Sequence, residues 1–211
     1  MDVWLTRLDR PVPGASEVLS DKETRRADGY SYPEDRRRFV IARAMLRSVL
    51  ADHLGVAPAE VEITRDESGR PRVDGGPDFN LSHSGELAAL VVSGDRRVGA
   101  DVERHRELDY LGMAERVFLP GEHALIAALP EAERSVAFFR YWTCKEACVK
   151  VLGEGLSALP GPELVFDTAG AALMRDGERW SVGELVLPEG YSGAVVSPGR
   201  PFRVVQRNWS G

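Results

Sequence analysis

Apolar residues recur at helical spacing in two long segments of the chain. In the later segment, Phe138, Trp142 and Val149 fall on one stripe of an ideal helix. Gly153 and Gly155 follow that stripe, and glycine commonly ends a helix. The pattern therefore predicts one helix that begins near Phe138 and ends at these glycines.

The earlier segment begins close to Ser31. Ser31 and Glu34 have the spacing of a capping box, and Pro33 suits the first turn of a helix. Gly55 is the predicted end of this second helix. Its predicted buried face consists of Phe39, Ala42, Leu46, Val49 and Leu50.

Alternating and branched apolar residues predict strands around these two helices. The predicted strands lie at residues 2–8, 61–65, 87–93, 97–103, 163–167, 171–175, 179–186, 191–196 and 202–207. Gly94-Asp95 separates two of them and predicts a hairpin between residues 87 and 103. Shorter helical segments are predicted at residues 16–27 and 109–129.

A weak internal echo suggests a repeated unit. Residues 87–93 (LAALVVS) resemble residues 191–197 (YSGAVVS), and each segment follows a helix and a polar stretch rich in turn residues. The echo predicts an α+β protein of two similar α+β halves, divided near residues 105–110.

Composition and charge argue against several classes of protein. The chain has 211 residues, 43% of them hydrophobic, which suits a soluble globular protein with a sizeable core. The net charge of −6 argues against nucleic-acid binding, and no apolar run is long enough to span a membrane. The first residues lack the pattern of a secretory signal, so we expect a cytoplasmic protein. Cys144 and Cys148 are expected to be reduced packing residues, because a zinc site needs more ligands nearby.

Three charged residues lie in or near the apolar stripe of the later helix. Lys145 projects into the apolar stripe and Glu146 lies at its edge, which is costly unless they are paired, bound to metal or facing a ligand. Lys150 follows Glu146 by four residues, so those two side chains are neighbours. An amphipathic helix with an internal Glu–Lys pair explains the same residues without any function.

Two carboxylates share one face of the predicted strand 97–103. Alternation places Asp101 and Glu103 on the face opposite its apolar residues. Adjacent carboxylates repel each other unless a cation lies between them or water solvates both. Oxygen ligands of this kind suit magnesium, although an exposed strand end is the alternative interpretation.

A stripe of arginines lies on the other side of the earlier helix. Arg36, Arg43 and Arg47 fall within about 40° of one another on an ideal wheel. Guanidinium groups in such a stripe can bind phosphates through paired hydrogen bonds. A solvated helix face with no ligand is the alternative.

The chain carries three motifs, FNLSHSG, VGADVE and WTCKEACVK, in that order. Together they resemble the motifs of the 4'-phosphopantetheinyl transferases of the Sfp-like branch, over about residues 36–156. The resemblance implies two α+β halves related by pseudo-twofold symmetry, with the active site in the cleft between them. We expect these halves at residues 1–106 and 107–211, the second carrying the WTCKEACVK helix.

The resemblance also implies which residues act in the reaction. Asp101, Glu103 and Glu146 match the family's magnesium ligands. Lys150 matches a catalytic lysine that contacts the pyrophosphate of coenzyme A. Glu146 is our candidate for the base that accepts the serine proton, and Glu122 is a second catalytic candidate.

Further residues match positions that bind coenzyme A in the family. The expected set is Arg38, Arg47, Arg70, Ser82, His83, Lys145 and Lys150. Arg70 departs from the family pattern, because Gly-Arg-Pro stands here where Gly-Lys-Pro is usual. This change keeps the charge and alters the hydrogen-bonding geometry. Arg25 or Arg26 is expected near the 3'-phosphate.

The implied activity is Mg²⁺-dependent transfer of the 4'-phosphopantetheine group from coenzyme A to a serine of an apo acyl or peptidyl carrier protein. The other product is adenosine 3',5'-bisphosphate, and the enzyme is expected to be a monomer. The carrier could serve fatty acid, polyketide or nonribosomal peptide synthesis. A non-catalytic module that binds coenzyme A or a carrier protein is the main alternative, and a nucleic-acid-binding protein is the other.

Overall fold

The computed structural model describes residues 1–167 and 170–211 of the chain. In these ranges the α-helices are α1 (Asp21–Asp28), α2 (Pro33–Leu54), α3 (Tyr110–Val117), α4 (Pro120–Ala127) and α5 (Glu131–Leu152). Short 3₁₀ turns lie at Pro58–Glu60 and Leu156–Ala158. The strands are β1 (Asp2–Arg7), β2 (Thr64–Arg65), β3 (Pro71–Arg72), β4 (Asp78–Ser84), β5 (Leu87–Ser93), β6 (Gly99–Arg104), β7 (Glu163–Asp167), β8 (Gly170–Arg175), β9 (Glu178–Glu184), β10 (Tyr191–Pro198) and β11 (Val205–Asn208). None of the helices described is long and apolar enough to cross a membrane.

Both long helices end as the sequence predicts. α2 begins at Pro33 and stops at Gly55, whose φ of 69° is left-handed, and α5 stops in the same way at Gly153. The predicted capping box at Ser31 is wrong, because Tyr32 precedes α2 without a side-chain cap. A complete capping box instead starts α1, where Ser20 and Glu23 exchange hydrogen bonds.

The strands form two larger sheets and one two-stranded ribbon. The first sheet has the order β11-β1-β5-β4, and the second has the order β6-β10-β9-β8-β7. The predicted hairpin between β5 and β6 is therefore wrong, since these strands belong to different sheets. β5 pairs with β4 instead, through a turn in which Gly85 has a φ of +56°.

The two sheets repeat one arrangement, which confirms the prediction of an α+β protein with two similar halves. In the first sheet β5 lies between β1 and β4, and in the second β10 lies between β6 and β9, and each of these central strands is antiparallel to both neighbours. α2 packs on β5, and α5 packs on β10 and β6. The predicted division at residues 106/107 stays a prediction, since β6 joins the second sheet and β11 returns to the first.

Hydrogen bonds between side chains of one strand and backbone N–H groups of another join the two sheets. Alternate residues of β4 accept hydrogen bonds from alternate backbone N–H groups at the edge of β6. The donor and acceptor pairs are Val98 N–Asp78 Oδ2 (2.7 Å), Ala100 N–Asn80 Oδ1 (2.9 Å), Val102 N–Ser82 Oγ (3.3 Å) and Arg104 N–Ser84 Oγ (3.1 Å). We call this set the β4–β6 ladder. It satisfies the outer N–H groups of an edge strand and fixes the position of β6 beside β4.

The cysteines lie in the core of the second half. Cys144 and Cys148 are buried free thiols among the side chains that α5 packs against its sheet. Burial raises the pKa of both thiols, to about 12 for Cys148, so they are protonated packing residues as the sequence predicts.

Candidate functional site

Three carboxylates meet where α5 crosses β6. One ligand oxygen each from Asp101, Glu103 and Glu146 lies within 4.8 Å of the other two. Close approach of helix and strand depends on Gly99, since a Cβ there would lie 2.0 Å from the carbonyl oxygen of Ala147. Asp101 is only 2% exposed, so the first of the two strand carboxylates does not lie on an open strand end.

Lys150 contacts two of these carboxylates, Asp101 and Glu146. Its Nζ lies 2.6 Å from Asp101 Oδ1, 3.1 Å from Ser82 Oγ and 3.8 Å from Glu146 Oε1. The predicted Glu146–Lys150 pair is therefore present, at the longer distance. The second oxygen of Asp101, Oδ2, is buried and makes no hydrogen bond. A buried carboxylate oxygen without a partner is costly, and a bound cation would satisfy it.

The negative charge of the cluster also exceeds the positive charge of the side chains that contact it. Burial of Asp101 and repulsion from Glu146 raise its pKa to about 7, although Lys150 and Ser82 act in the opposite direction. Two cations face three carboxylates: Lys150, and Arg106, whose Nη1 lies 3.1 Å from Glu103 Oε2. Additional positive charge would relieve this repulsion, so the donor set fits a hard divalent cation.

The charges of three cationic side chains act on His83, an exposed residue. Partial desolvation, followed by the nearby charges of Lys150, Arg38 and Arg26, lowers the pKa of His83. Arg38 forms ion pairs with Asp35 (3.0 Å) and Glu86. Lys150, Arg38 and Arg26 therefore add positive potential around His83, which suits a polyanionic ligand.

A second cationic region lies in the first half, in a cavity of about 280 Å³ between α1, α2 and the β2–β3 ribbon. Its cationic lining residues are Lys22, Arg26, Arg43, Arg47 and Arg65. Glu23 also lines the cavity and binds Arg43 Nε at 2.5 Å and Arg47 Nε at 2.6 Å.

The predicted arginine stripe is largely committed to protein partners. Arg47 is 3% exposed, and its Nη1 donates to the carbonyl oxygens of Pro58 and Val61. Arg36 pairs with Asp28 at 3.1 Å. These arginines are therefore neither a freely solvated face nor a row of unoccupied phosphate ligands.

Arg70 points between the two sheets. Its guanidinium donates to the carbonyl oxygen of Lys150 at 2.6 Å, to Asp78 Oδ2 at 2.7 Å and to Phe79 O at 3.0 Å. It also donates to Val98 O, and the residue is 6% exposed. The planar guanidinium thus connects the end of α5 with β4 and the start of β6.

Lys145 and Glu122 form a separate ion pair inside the second half. Lys145 Nζ lies 2.5 Å from Glu122 Oε2 and 3.3 Å from the carbonyl oxygen of Leu159. Glu122 also accepts hydrogen bonds from the backbone N–H groups of Leu119 and Leu164, both at 2.8 Å. Burial lowers the pKa of Lys145, and Glu122 opposes that change.

Sequence reasoning missed the partners that Asp101 and Glu103 have on β4. Ser82 Oγ donates to Asp101 Oδ1 at 2.8 Å, and Ser84 Oγ donates to Glu103 Oε2 at 2.7 Å. A usable signal was present, because every second residue from 78 to 84 is polar. Four polar residues on one face of a strand indicate a partner on that face.

Comparison with known proteins agrees with this geometry. Residues 10–95 match the family described as 4'-phosphopantetheinyl transferase, N-terminal, and residues 97–195 match the 4'-phosphopantetheinyl transferase superfamily. The chain is 37% identical to the 4'-phosphopantetheinyl transferase HetI of a Nostoc species, over 93% of this chain and 87% of HetI. It is 25% identical to the 4'-phosphopantetheinyl transferase Sfp of Bacillus subtilis, over 91% of this chain and 84% of Sfp. The chain therefore belongs to the 4'-phosphopantetheinyl transferase superfamily.

Proposed function

We propose that the three-carboxylate cluster is the Mg²⁺ site for the transfer of 4'-phosphopantetheine to carrier proteins, the activity of this family. The observation that carries the proposal is the unsatisfied Oδ2 of Asp101 beside Glu103 and Glu146. Three carboxylates with one buried free oxygen match the hard oxygen donors that Mg²⁺ prefers. When bound, Mg²⁺ supplies Lewis-acid stabilisation of the pyrophosphate.

The protein's own residues would bind and orient coenzyme A around this cluster. Lys150 contacts Asp101, and the charges of Lys150, Arg38 and Arg26 all act on His83. We assign the pyrophosphate to Lys150 and the phosphates of the nucleotide end to His83, Arg38 and Arg26. Positive groups held in advance stabilise the charge that develops on the leaving bisphosphate.

The remaining members of the predicted coenzyme A set have different surroundings. Arg47, Arg70 and Lys145 are buried, and Arg47 Nη1, both terminal nitrogens of Arg70 and Lys145 Nζ already bind protein acceptors. Ser82 already bonds Asp101 and Lys150. We propose that these four residues support the site, rather than contact coenzyme A directly.

Glu146 is the better of the two candidates for the base that accepts the serine proton. It is partly exposed and belongs to the carboxylate cluster. Glu122 is 3% exposed and is engaged by Lys145 and two backbone N–H groups. A general base must reach the proton that it accepts, which favours Glu146.

The finer features of the function stay proposals. We propose that the acceptor is the serine of an apo acyl or peptidyl carrier protein, that the second product is adenosine 3',5'-bisphosphate, and that the enzyme acts as a monomer. The predicted halves, 1–106 and 107–211, would then form the two walls of the cleft.

The test is the intact mass of apo acyl and peptidyl carrier proteins after incubation with this protein, coenzyme A and Mg²⁺. We expect the mass to increase by one phosphopantetheine group, and no increase when EDTA is present. Transfer at the same rate in EDTA would contradict the metal proposal. Binding of coenzyme A without transfer to any carrier would instead favour the non-catalytic binding module.

A further inference from the structure

We infer that Ser84 is a positioning residue for the Glu103 carboxylate and thereby for the bound metal ion. This inference rests on the proposed metal site. Ser84 Oγ donates to Glu103 Oε2 at 2.7 Å and accepts a hydrogen bond from the backbone N–H of Arg104 at 3.1 Å. One hydroxyl therefore contacts both the carboxylate and the backbone next to it.

The two contacts fix the direction of the hydroxyl proton. A serine hydroxyl has one proton to donate and lone pairs that accept. Because Arg104 N–H occupies a lone pair of Ser84, the proton is free to point at Glu103. The carboxylate then receives a hydrogen bond from a side chain whose own position is held by the backbone.

The same arrangement occurs one step earlier along the β4–β6 ladder. Ser82 accepts from the N–H of Val102 at 3.3 Å and donates to Asp101 at 2.8 Å. The two serines thus repeat one pattern at a two-residue interval, each supporting the carboxylate that precedes its N–H donor. The repetition follows from the strand period, and it marks the Ser84 contact as part of the junction between the sheets.

Arg106 also contacts Glu103 Oε2, at 3.1 Å. Its side chain is 54% exposed, whereas that of Glu103 is 19% exposed. An exposed ion pair is weakened by solvent and by the entropy of a long side chain. Ser84 is short and lies in a paired strand, so it restricts the Glu103 carboxylate more than Arg106 does. Both contacts are made to Oε2, and neither competes for Oε1.

The test measures metal affinity directly, with Mn²⁺ as the probe and no coenzyme A. Electron paramagnetic resonance of free Mn²⁺ gives the Kd for the parent protein and for Ser84→Ala, Ser84→Thr, Glu103→Gln and the Ser84→Ala/Glu103→Gln double variant. Ser93→Ala is the matched control, because Ser93 is a buried strand serine that bonds Asp95. Thermal melts check that every variant is folded.

We expect Ser84→Ala to weaken Mn²⁺ binding by about 10- to 100-fold, the usual effect of removing a group that supports a metal ligand. Ser84→Thr keeps the hydroxyl and should restore the parent Kd, and Ser93→Ala should leave it unchanged. The double variant should bind Mn²⁺ no more weakly than Glu103→Gln alone, because Ser84 acts through Glu103.

The set of variants tests the role of Ser84 separately from the metal site. A parent-like Kd for Ser84→Ala, together with weak binding by Glu103→Gln, would contradict the role of Ser84 and leave the metal site intact. A parent-like Kd for Glu103→Gln would contradict the metal site itself. Additive losses in the double variant would show that Ser84 acts independently of Glu103. If Ser84→Ala does not fold, the Ser84→Thr variant decides, and a weakened Kd there would contradict the inference.

Discussion

The two lysines of α5 have opposite environments, although they are five residues apart. Lys145 is fully buried and meets one carboxylate, Glu122, whose oxygens also accept backbone N–H groups. Lys150 is partly exposed and meets a cluster of three carboxylates in which a buried oxygen, Asp101 Oδ2, has no hydrogen bond. A closed, balanced pair needs no further ligand, whereas an open cluster with excess negative charge does. Charge balance and exposure therefore distinguish a structural ion pair from a binding site on the same helix.

The largest expected effect comes from neutralising the open cluster. Asp101→Asn should reduce the rate of phosphopantetheine transfer by about two orders of magnitude or more, because a metal site contributes several kcal/mol of charge stabilisation. Stability should be unchanged or higher, since the substitution removes a buried charge. Initial rates by mass spectrometry and a thermal melt test both statements. Asp74→Asn, at an exposed aspartate, is the control. A folded Asp101→Asn enzyme with the parent rate would exclude Asp101 as a metal ligand.

The closed pair should respond in stability instead. Lys145→Met leaves Glu122 buried without its cation, and we expect the free energy of unfolding to fall by about 3–5 kcal/mol. The double variant Lys145→Met/Glu122→Leu should recover much of this loss, because both charges are then gone. Urea denaturation measures the change. Undiminished stability with weaker coenzyme A binding would instead make Lys145 a ligand contact.

Arg70 tests the junction between the two sheets, next to the open cluster. Arg70→Lys keeps the charge and loses the planar set of donors, so we expect a loss of about 1–3 kcal/mol in stability with little change in the Kd for coenzyme A. Chemical denaturation and calorimetry measure these quantities. Arg72→Lys, at an exposed arginine, is the matched control. A large rise in the Kd at unchanged stability would support direct contact with coenzyme A.

The smallest effect is a pH dependence confined to the open cluster. The pKa of Asp101 is about 7 in the folded protein, against an ordinary value of 3.8. Between these values the folded state holds a proton that the unfolded chain has released, so stability should fall as pH rises. Each kcal/mol corresponds to about 2–4 °C in Tm for a chain of this size. Thermal melts in EDTA from pH 4.5 to 7.5 should show this decline, and Asp101→Asn should flatten it. The same dependence of Tm on pH in the parent and in Asp101→Asn would show that Asp101 does not cause the decline.

The sequence predicted the parts of the site that depend on local spacing. Asp101 and Glu103 share a strand face because the strand period is two, and Glu146 and Lys150 are neighbours because the helix period is 3.6. The two glycines that end α2 and α5 were also predicted correctly. Local geometry alone was enough for each of these predictions.

Predictions failed, or stayed open, where a distant partner decides. Gly94-Asp95 is a good turn sequence, yet the strand after it pairs with β10, about ninety residues later along the chain. The Ser31 capping prediction failed for a local reason, since Tyr32 and not Ser31 is the N-cap of α2. Nothing near Lys145 in sequence indicates Glu122, and nothing near Arg70 indicates the carbonyl of Lys150.

The return of β11 to the first sheet has a consequence for the order of folding. β1 pairs in parallel with β11, where Asp2 lies opposite Val205, and β11 is separated from β1 by the whole second sheet along the chain. During synthesis β1 emerges first, yet one of its edges stays open until β11 has been made. Contacts between such distant residues slow folding, because a long loop must close before they form. The two halves therefore cannot mature strictly one after the other, and completion of the first half depends on the last strand described.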